Sequence, residues 1–280
     1  MNIIGIGKPG CSITSRLEQH SQYNTFYIDS ANNKRYKNFS KVKEQRDHED
    51  YETNYRKIRF KNMSEKTTTV VLSGSGKISG IILRLLEQLS DHSLSVVYIK
   101  PDLTLLDETS RMREKIVFGI LQQYARSGLL ENIQIISNEA VEQALKSVSI
   151  ADYWEDINDV IASTFHMLNV FDNTEPLLTT IAEEKATTRI STIGVVAYDS
   201  LDEKSFYNLH APRLKKYFFG ISQDTLSKEK DLLHNIRSYV KGKSGEKCLA
   251  CFAIYSTDYN ENYVYVSHHA SLIQEENVYS

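Results

Sequence analysis

The feature that most constrains this chain is the alternation of its first half. MNIIGIG reads as a short buried strand, SITSRLEQH as a helix and YNTFYIDS as a second strand. After an interruption the same pattern returns in TTTVVLS, ISGIILRLLEQLS, LSVVYIK, SRMREKIVFGILQQYARSG and IQIIS. Strands separated by helices of this length cannot be joined as tight hairpins. They run parallel, with helices covering both faces of the sheet. The pattern predicts an α/β, Rossmann-like parallel-sheet lobe over residues 1–151.

Two segments break the alternation. Residues 33–66 are charge-mixed and contain neither Gly nor Pro, and their sparse aromatics predict a short helix and a thin, mostly solvated cover. ADYWEDINDVIASTFHMLNVF then places Ile157, Val160, Ile161, Phe165, Leu168 and Phe171 at helical spacing, which predicts a long central helix over residues 152–172 with Asp152 as its cap. Beyond it, TRISTIGVVAYDS, LKKYFFGIS, TLSKEKDLLHNIRSYV, CLACFAIYST and YVYVSHHAS predict a smaller α/β lobe with a mixed sheet over residues 173–280.

Composition removes several function classes. A net charge of -3, with 41% hydrophobic and 25% charged residues, describes a folded globular chain with no general electrostatic reason to bind nucleic acid or an anionic membrane. No run is apolar for the roughly 18 residues that span a bilayer, and the N-terminus enters a strand without a signal-peptide pattern, so a cytoplasmic location is expected. Cys11, Cys248 and Cys251 make no disulfide framework, and Cys248-x-x-Cys251 lacks a second ligand pair. His268 and His269, adjacent on a strand, point to opposite faces. No metal site is expected from these residues.

Half of the twelve glycines fall in two strand-to-helix junctions, GIGKPG at residues 5–10 and GSGKISG at residues 74–80. The first satisfies the dinucleotide fingerprint, with Asp29 near the end of the second strand where a ribose-binding acid belongs. A simple dinucleotide fold has no need of the second. That second junction is not a P-loop, because Val71 and Ile78 stand where a glycine and a hydroxyl residue are required. Two such junctions can grip two parts of one phosphate chain through backbone N–H groups and helix N-termini; the plainer reading is two tight turns without a ligand.

Taken in order, the motifs resemble the tubulin/FtsZ superfamily over nearly the whole chain. IGIGKPGCSITSRLE and FYIDSANN are similar to the first loop IGVGGGGGNAV and its following strand, and GSGKISG stands in place of the signature GGGTGTG. SVVYIKP resembles TVAVVTKP, LDETSRM resembles FEGKKRM, QIISNEAVEQAL resembles LITIPNDKLLKVL, and WEDINDVI resembles FGAANDVL. YFFGISQDTLSKEKDLLHNIRSYV and CLACFAIYSTDYNENYVYVSHHA are similar to second-lobe segments.

The resemblance implies a guanine nucleotide, GTP or GDP, with Mg2+ as an optional companion. It assigns the phosphates to Gly7, Lys8, Gly10, Cys11 and Ser12 of the first junction and to Gly74, Ser75, Gly76, Lys77, Ser79 and Gly80 of the second. Asp107 falls at the ribose contact, Arg111 near the phosphates, Trp154 on the guanine face and Asn158 at its edge. Each has a plainer role: Trp154 as a packing anchor, Asn158 as a solvent-facing amide, Asp107 and Arg111 as an i,i+4 pair. The resemblance further implies head-to-tail association, with itself or with a related protein, and hydrolysis completed by acids from the next subunit.

The departures weaken catalysis. Ile78 disfavours the positive φ and close backbone approach of the signature, Pro9 has no N–H to give, and residues 30–66 lack the family's other phosphate-loop glycines. Aligning PLLTTIAEEKA on GLMNVDFADVR puts Thr179 at the Asn, Ile181 at the first acid and Glu184 at the second. An alternative uses Asp172 and Glu175 but shortens the long helix by about two turns, so the first is preferred. The expectation is a guanine-nucleotide-binding protein that forms or regulates filaments, with Glu184 as its remaining catalytic acid and GTP hydrolysis weak or absent. The rivals are a nucleotide-free pseudo-GTPase acting as a structural or adaptor protein, and an NAD-dependent oxidoreductase using GIGKPG and Asp29.

Overall fold

A computed structural model describes residues 1–63, 65–145, 149–179, 181–182 and 186–275. Strand β1 (Asn2–Ile6) runs directly into α1 (Gly7–Leu17), followed by β2 (Asn24–Asp29), β3 (Phe39–Lys41), α2 (His48–Thr53), β4 (Thr67–Leu72) and α3 (Ile82–Gln88). Then come β5 (Ser93–Lys100), α4 (Glu108–Ser127), β6 (Asn132–Ser137), α5 (Asn138–Ala144) and the long α6 (Tyr153–Asp172). The remainder comprises β7 (Leu178–Thr179), β8 (Ile190–Val196), β9 (Glu203–Ser205), β10 (Leu214–Ser222), α7 (Gln223–Lys228), α8 (Leu232–Lys243), β11 (Leu249–Thr257) and β12 (Tyr263–Ala270).

All described strands belong to one sheet, in the order β3-β2-β1-β4-β5-β6-β8-β12-β10-β11-β7, with β9 paired to β8. From β3 to β8 every pairing on this path is parallel. The strands between helices are buried on both faces, as Ile3, Ile4, Val70, Val71, Val96 and Val97 show. Past β8 the sheet is mixed: β12 is antiparallel to both β8 and β10, β11 is parallel to β10, and β7 is antiparallel to β11. Where the parallel and mixed parts join, the β6–β8 ladder is short, with Ile133↔Ile190 and Gln134↔Ser191 in register.

Helix α6 covers this seam. Ile157 and Ile161 face the same core as Ile13 and Leu17 of α1, while Phe171, about four turns beyond Ile157, packs on Phe218 at 5.8 Å and Tyr255 at 4.5 Å between ring centres. Each such burial contributes about 1.5–3 kcal/mol, so one apolar stripe holds both parts of the sheet in register. Among the described residues no helix is long and apolar enough to cross a membrane.

Three local expectations change. Helix α1 begins at Gly7 and not near Ser12, because Gly7 takes φ 67 and turns the chain straight from strand to helix; Pro9 then sits in the first turn, where a missing N–H costs nothing. The helix expected from Ile78 opens as a 3₁₀ turn, Lys77–Ile81, before α3 begins. Segment 33–66 is pinned more firmly than its polarity suggests. Gln88 accepts from the Ile58 N–H at 2.9 Å and donates to the Ile58 carbonyl at 2.8 Å, and Tyr51 and Ile58 are buried.

Candidate functional site

The order β3-β2-β1-β4-β5-β6 reverses direction between β1 and β4, and in open parallel sheets that reversal leaves a crevice beyond the carboxyl ends of the two strands. Both glycine junctions lie there, GIGKPG after β1 and GSGKISG after β4. They approach each other closely: a Cβ placed on Gly7 would lie 3.0 Å from Ile78 Cγ2. Between the two loops, where an anion would meet main-chain N–H groups, stands the branched side chain of Ile78. Lys8, Gly76 and Lys77 are exposed on the rim, with Ser75 half-buried beside them.

Several expected contacts are turned elsewhere. Gly10 faces inward, where a Cβ would meet the Val71 carbonyl oxygen at 2.2 Å; its smallness lets α1 pack on β4. Gly74 and Gly80 are likewise small for packing, against the Tyr98 hydroxyl and the His48 carbonyl respectively, each 2.1 Å from a built Cβ. Cys11 is buried with its Sγ directed at the carbonyls of Gly5 (3.4 Å) and Ile28 (3.7 Å), and burial pushes its thiol up to about 12. Ser79 donates its hydroxyl to the Gly74 and Gly76 carbonyls at 2.9 and 2.7 Å, closing the 3₁₀ turn. These five inward-facing residues, Gly10, Cys11, Gly74, Ser79 and Gly80, shape the loops from behind.

Asp107 caps α4: its carboxylate accepts from the Ser110 N–H at 2.7 Å and the Ser110 hydroxyl at 3.1 Å, and those bonds hold its pKa below the ordinary value. Arg111 is exposed and donates to the Leu103 carbonyl at 2.8 Å. The arginine that reaches the second glycine loop is Arg113, which the motif comparison passes over; its Nε donates to the Ser75 carbonyl at 3.1 Å and its guanidinium to Ser110 Oγ at 2.7 Å. A signal existed, since Arg113 lies four residues before the buried Val117 and so faces the sheet. Beneath Gly74 lies an unforeseen ion pair: Lys100 Nζ donates to Glu114 Oε1 at 2.8 Å, with both side chains buried and Phe118 under the ammonium at 4.2 Å.

On the other flank, Trp154 at the start of α6 is 59% exposed, with an edge contact to Tyr153. Asn158 is buried and donates to Ser12 Oγ at 3.2 Å, joining α6 to the first junction. Arg16 completes this joint, pairing with Glu155 and Asp159 and donating to the Ser12 carbonyl and hydroxyl at 2.9 Å each. Asp29 turns back on its own chain, accepting from the Ser30 N–H at 2.7 Å.

Helix α6 runs through to Asp172, so Asp172 sits in its last turn and the alternative catalytic placement, which needs it in a loop, does not match the helix length. Ile181 is half-buried against the core beneath α6. Glu184 lies outside the described residues, as does the side chain of Thr179. Among the described residues no group of three His, Cys, Asp or Glu side chains could hold a metal ion.

No family model and no curated protein matches the sequence. Solved structures do. CetZ2 from Haloferax volcanii, in a GTPγS-bound protofilament, superposes with a TM-score of 0.71 over 99% of this chain and 94% of its own, at 13% identity. TubZ of Bacillus thuringiensis serovar israelensis, in GDP-form protofilaments, gives 0.70 over 97% and 88%, at 14% identity. A dimer of FtsZ from M. jannaschii gives 0.65 over 96% and 87%, at 10% identity. The chain has the tubulin/FtsZ fold. The strand reversal and the seam-spanning α6 belong to that fold.

Proposed function

We propose that this chain binds a guanine nucleotide in the crevice beyond β1 and β4 and associates head to tail through it, with little or no GTP hydrolysis. The observation that carries the reading is the convergence of two glycine junctions on one crevice at the strand reversal. Gly7 in the left-handed region, the rim residues Lys8, Ser75, Gly76 and Lys77, and Arg113 behind them supply main-chain donors and positive charge for phosphates. Exposed Trp154 offers a face for the base. The protofilament relatives, described with GTPγS and GDP, support nucleotide at a subunit contact.

Weak hydrolysis follows from two side chains. Ile78 occupies space between the loops that a terminal phosphate and its water would share, and Ile181 provides no oxygen where the aligned motif has an acid. Ile78 also favours a second reading, in which the crevice stays closed and the fold serves as a nucleotide-free structural or adaptor protein. Calorimetry with GTPγS, ATP and NAD, together with phosphate release and sedimentation across protein concentrations, separates these. The proposal expects GTPγS to bind in preference to ATP and NAD, with sedimenting assemblies and slow release. Fast, concentration-dependent release overturns the catalytic part, and absence of GTPγS binding leaves the second reading.

A further inference from the structure

The insertion at residues 33–66 carries eleven Lys and Arg against six Asp and Glu, in a chain whose net charge is -3. The fold gathers part of that excess around one recess of about 630 Å³, between the outer strand β3 with its continuation on one wall and residues 54–59 on the other. Lys41 and Lys43 stand on the first wall and Arg56, Lys57 and Arg59 on the second; no Asp or Glu lines it. All five are exposed, and none has an ion pair among the described residues. Of the acids around it, Glu52 faces Arg84 at 3.6 Å, Glu44 is exposed outside the recess, and Asp29, opposite Lys41 in the strand register, accepts from the Ser30 N–H. No residue of the glycine junctions lines it, although Ile81 follows directly on the second and Tyr51 packs on Gly80.

β3 ends the sheet. Asn38 accepts from the Tyr27 N–H and Val42 donates to the Asp29 carbonyl, so by strand alternation the main-chain groups of Phe39 and Lys41 face outward, away from β2. The floor is firm, since Tyr51 is buried and the Gln88 side chain fixes both main-chain groups of Ile58. An open strand edge between two cationic walls suits an extended chain that carries carboxylates. Stacked bases are not served here, because Tyr51 is buried and the Tyr55 hydroxyl is tied to Gln88 at 2.6 Å.

We propose that this recess docks an acidic, extended segment of a partner protein, added as a strand beside β3 and held on both sides by Lys41, Lys43, Arg56, Lys57 and Arg59. The probe is a fluorescein-labelled peptide of four Glu-Val repeats, followed by anisotropy, against a Gln-Val peptide and a twelve-residue oligothymidylate. The acidic peptide binds the full chain, weakens about tenfold between roughly 50 and 300 mM salt as screening shortens the reach of the charges, and loses at least tenfold with Arg56→Glu plus Arg59→Glu; the neutral peptide does not bind. Lys41→Pro, which removes an outward N–H, binds at least fivefold more weakly than Lys41→Gln, which removes only the charge. Lys43→Glu plus Lys57→Glu repeats the charge test should the first pair fail to fold. Failure of the acidic peptide to bind, equal affinities for Lys41→Pro and Lys41→Gln, or tighter binding of the oligothymidylate would each overturn the proposal.

Discussion

The two glycine junctions look alike in sequence and are built on different principles. At the first, one glycine is conformational: Gly7 takes φ 67 and lets β1 pass into an eleven-residue helix, while Gly10 is small so that this helix can rest on β4. At the second, none of the three glycines has a positive φ; Gly74 and Gly80 yield space to Tyr98 and His48, and the turn is closed by the Ser79 hydroxyl. Two similar clusters of three glycines thus mark one turn set by backbone freedom and one set by packing and a side-chain hydrogen bond. The difference matters for function, because only the first junction leads into a helix long enough for a substantial dipole.

The comparison can be broken most severely at Gly10. Gly10→Val drives a side chain into the Val71 carbonyl and is expected to cost about 4 kcal/mol or more, seen as loss of the cooperative thermal transition of the whole chain. An effect confined to nucleotide binding would show instead that Gly10 serves a ligand. Next comes Ser79→Ala, which deletes the two bonds that close the second turn, and a loss of about 1–2 kcal/mol in chemical denaturation is expected. No hydroxyl closes the first turn; Ser12 instead accepts from Arg16 and Asn158, so Ser12→Ala is expected to loosen α6 from α1 and not to open the turn.

Ile78→Ala sharpens the functional side. Removing the methyl that faces Gly7 is expected to raise GTPγS affinity about tenfold, equivalent to roughly 1.4 kcal/mol, measured by calorimetry. Unchanged affinity would mean that the gap between the loops is not where phosphate enters. The smallest effect belongs to Gly76→Ala: with φ -76 and the Ile78 side chain 4.0 Å from a built Cβ, it should alter stability by less than about 0.5 kcal/mol. A large loss there would contradict the packing account of the second junction.

Much of the architecture was legible in the chain because it rests on periodicity. The β-α alternation, the apolar stripe of α6 and the mixed strands after it follow from spacings of two and 3.6 residues, which local sequence displays directly. Motif order likewise pointed to the tubulin/FtsZ fold, although the chain shares only 10–14% identity with CetZ2, TubZ and FtsZ. The site was less legible. Aligned position selected Arg111, but a helix presents Arg113 to the loop and leaves Arg111 with the Leu103 carbonyl.

By itself, then, the sequence determined which segments become strands and helices, where glycine junctions interrupt them, and that Ile78 and Ile181 lack the chemistry of the residues they replace. Only the tertiary structure decided which way each junction residue faces: Cys11 toward the carbonyls of β1 and β2, Ser79 into its own turn, Asn158 onto Ser12, and Lys100 onto Glu114 beneath Gly74. It also decided that cations distant in sequence line one recess beside β3. The physical reason is that secondary structure is set by local periodicity, whereas the direction of a polar side chain is set by whichever donor or acceptor from a distant segment is brought within about 3 Å of it.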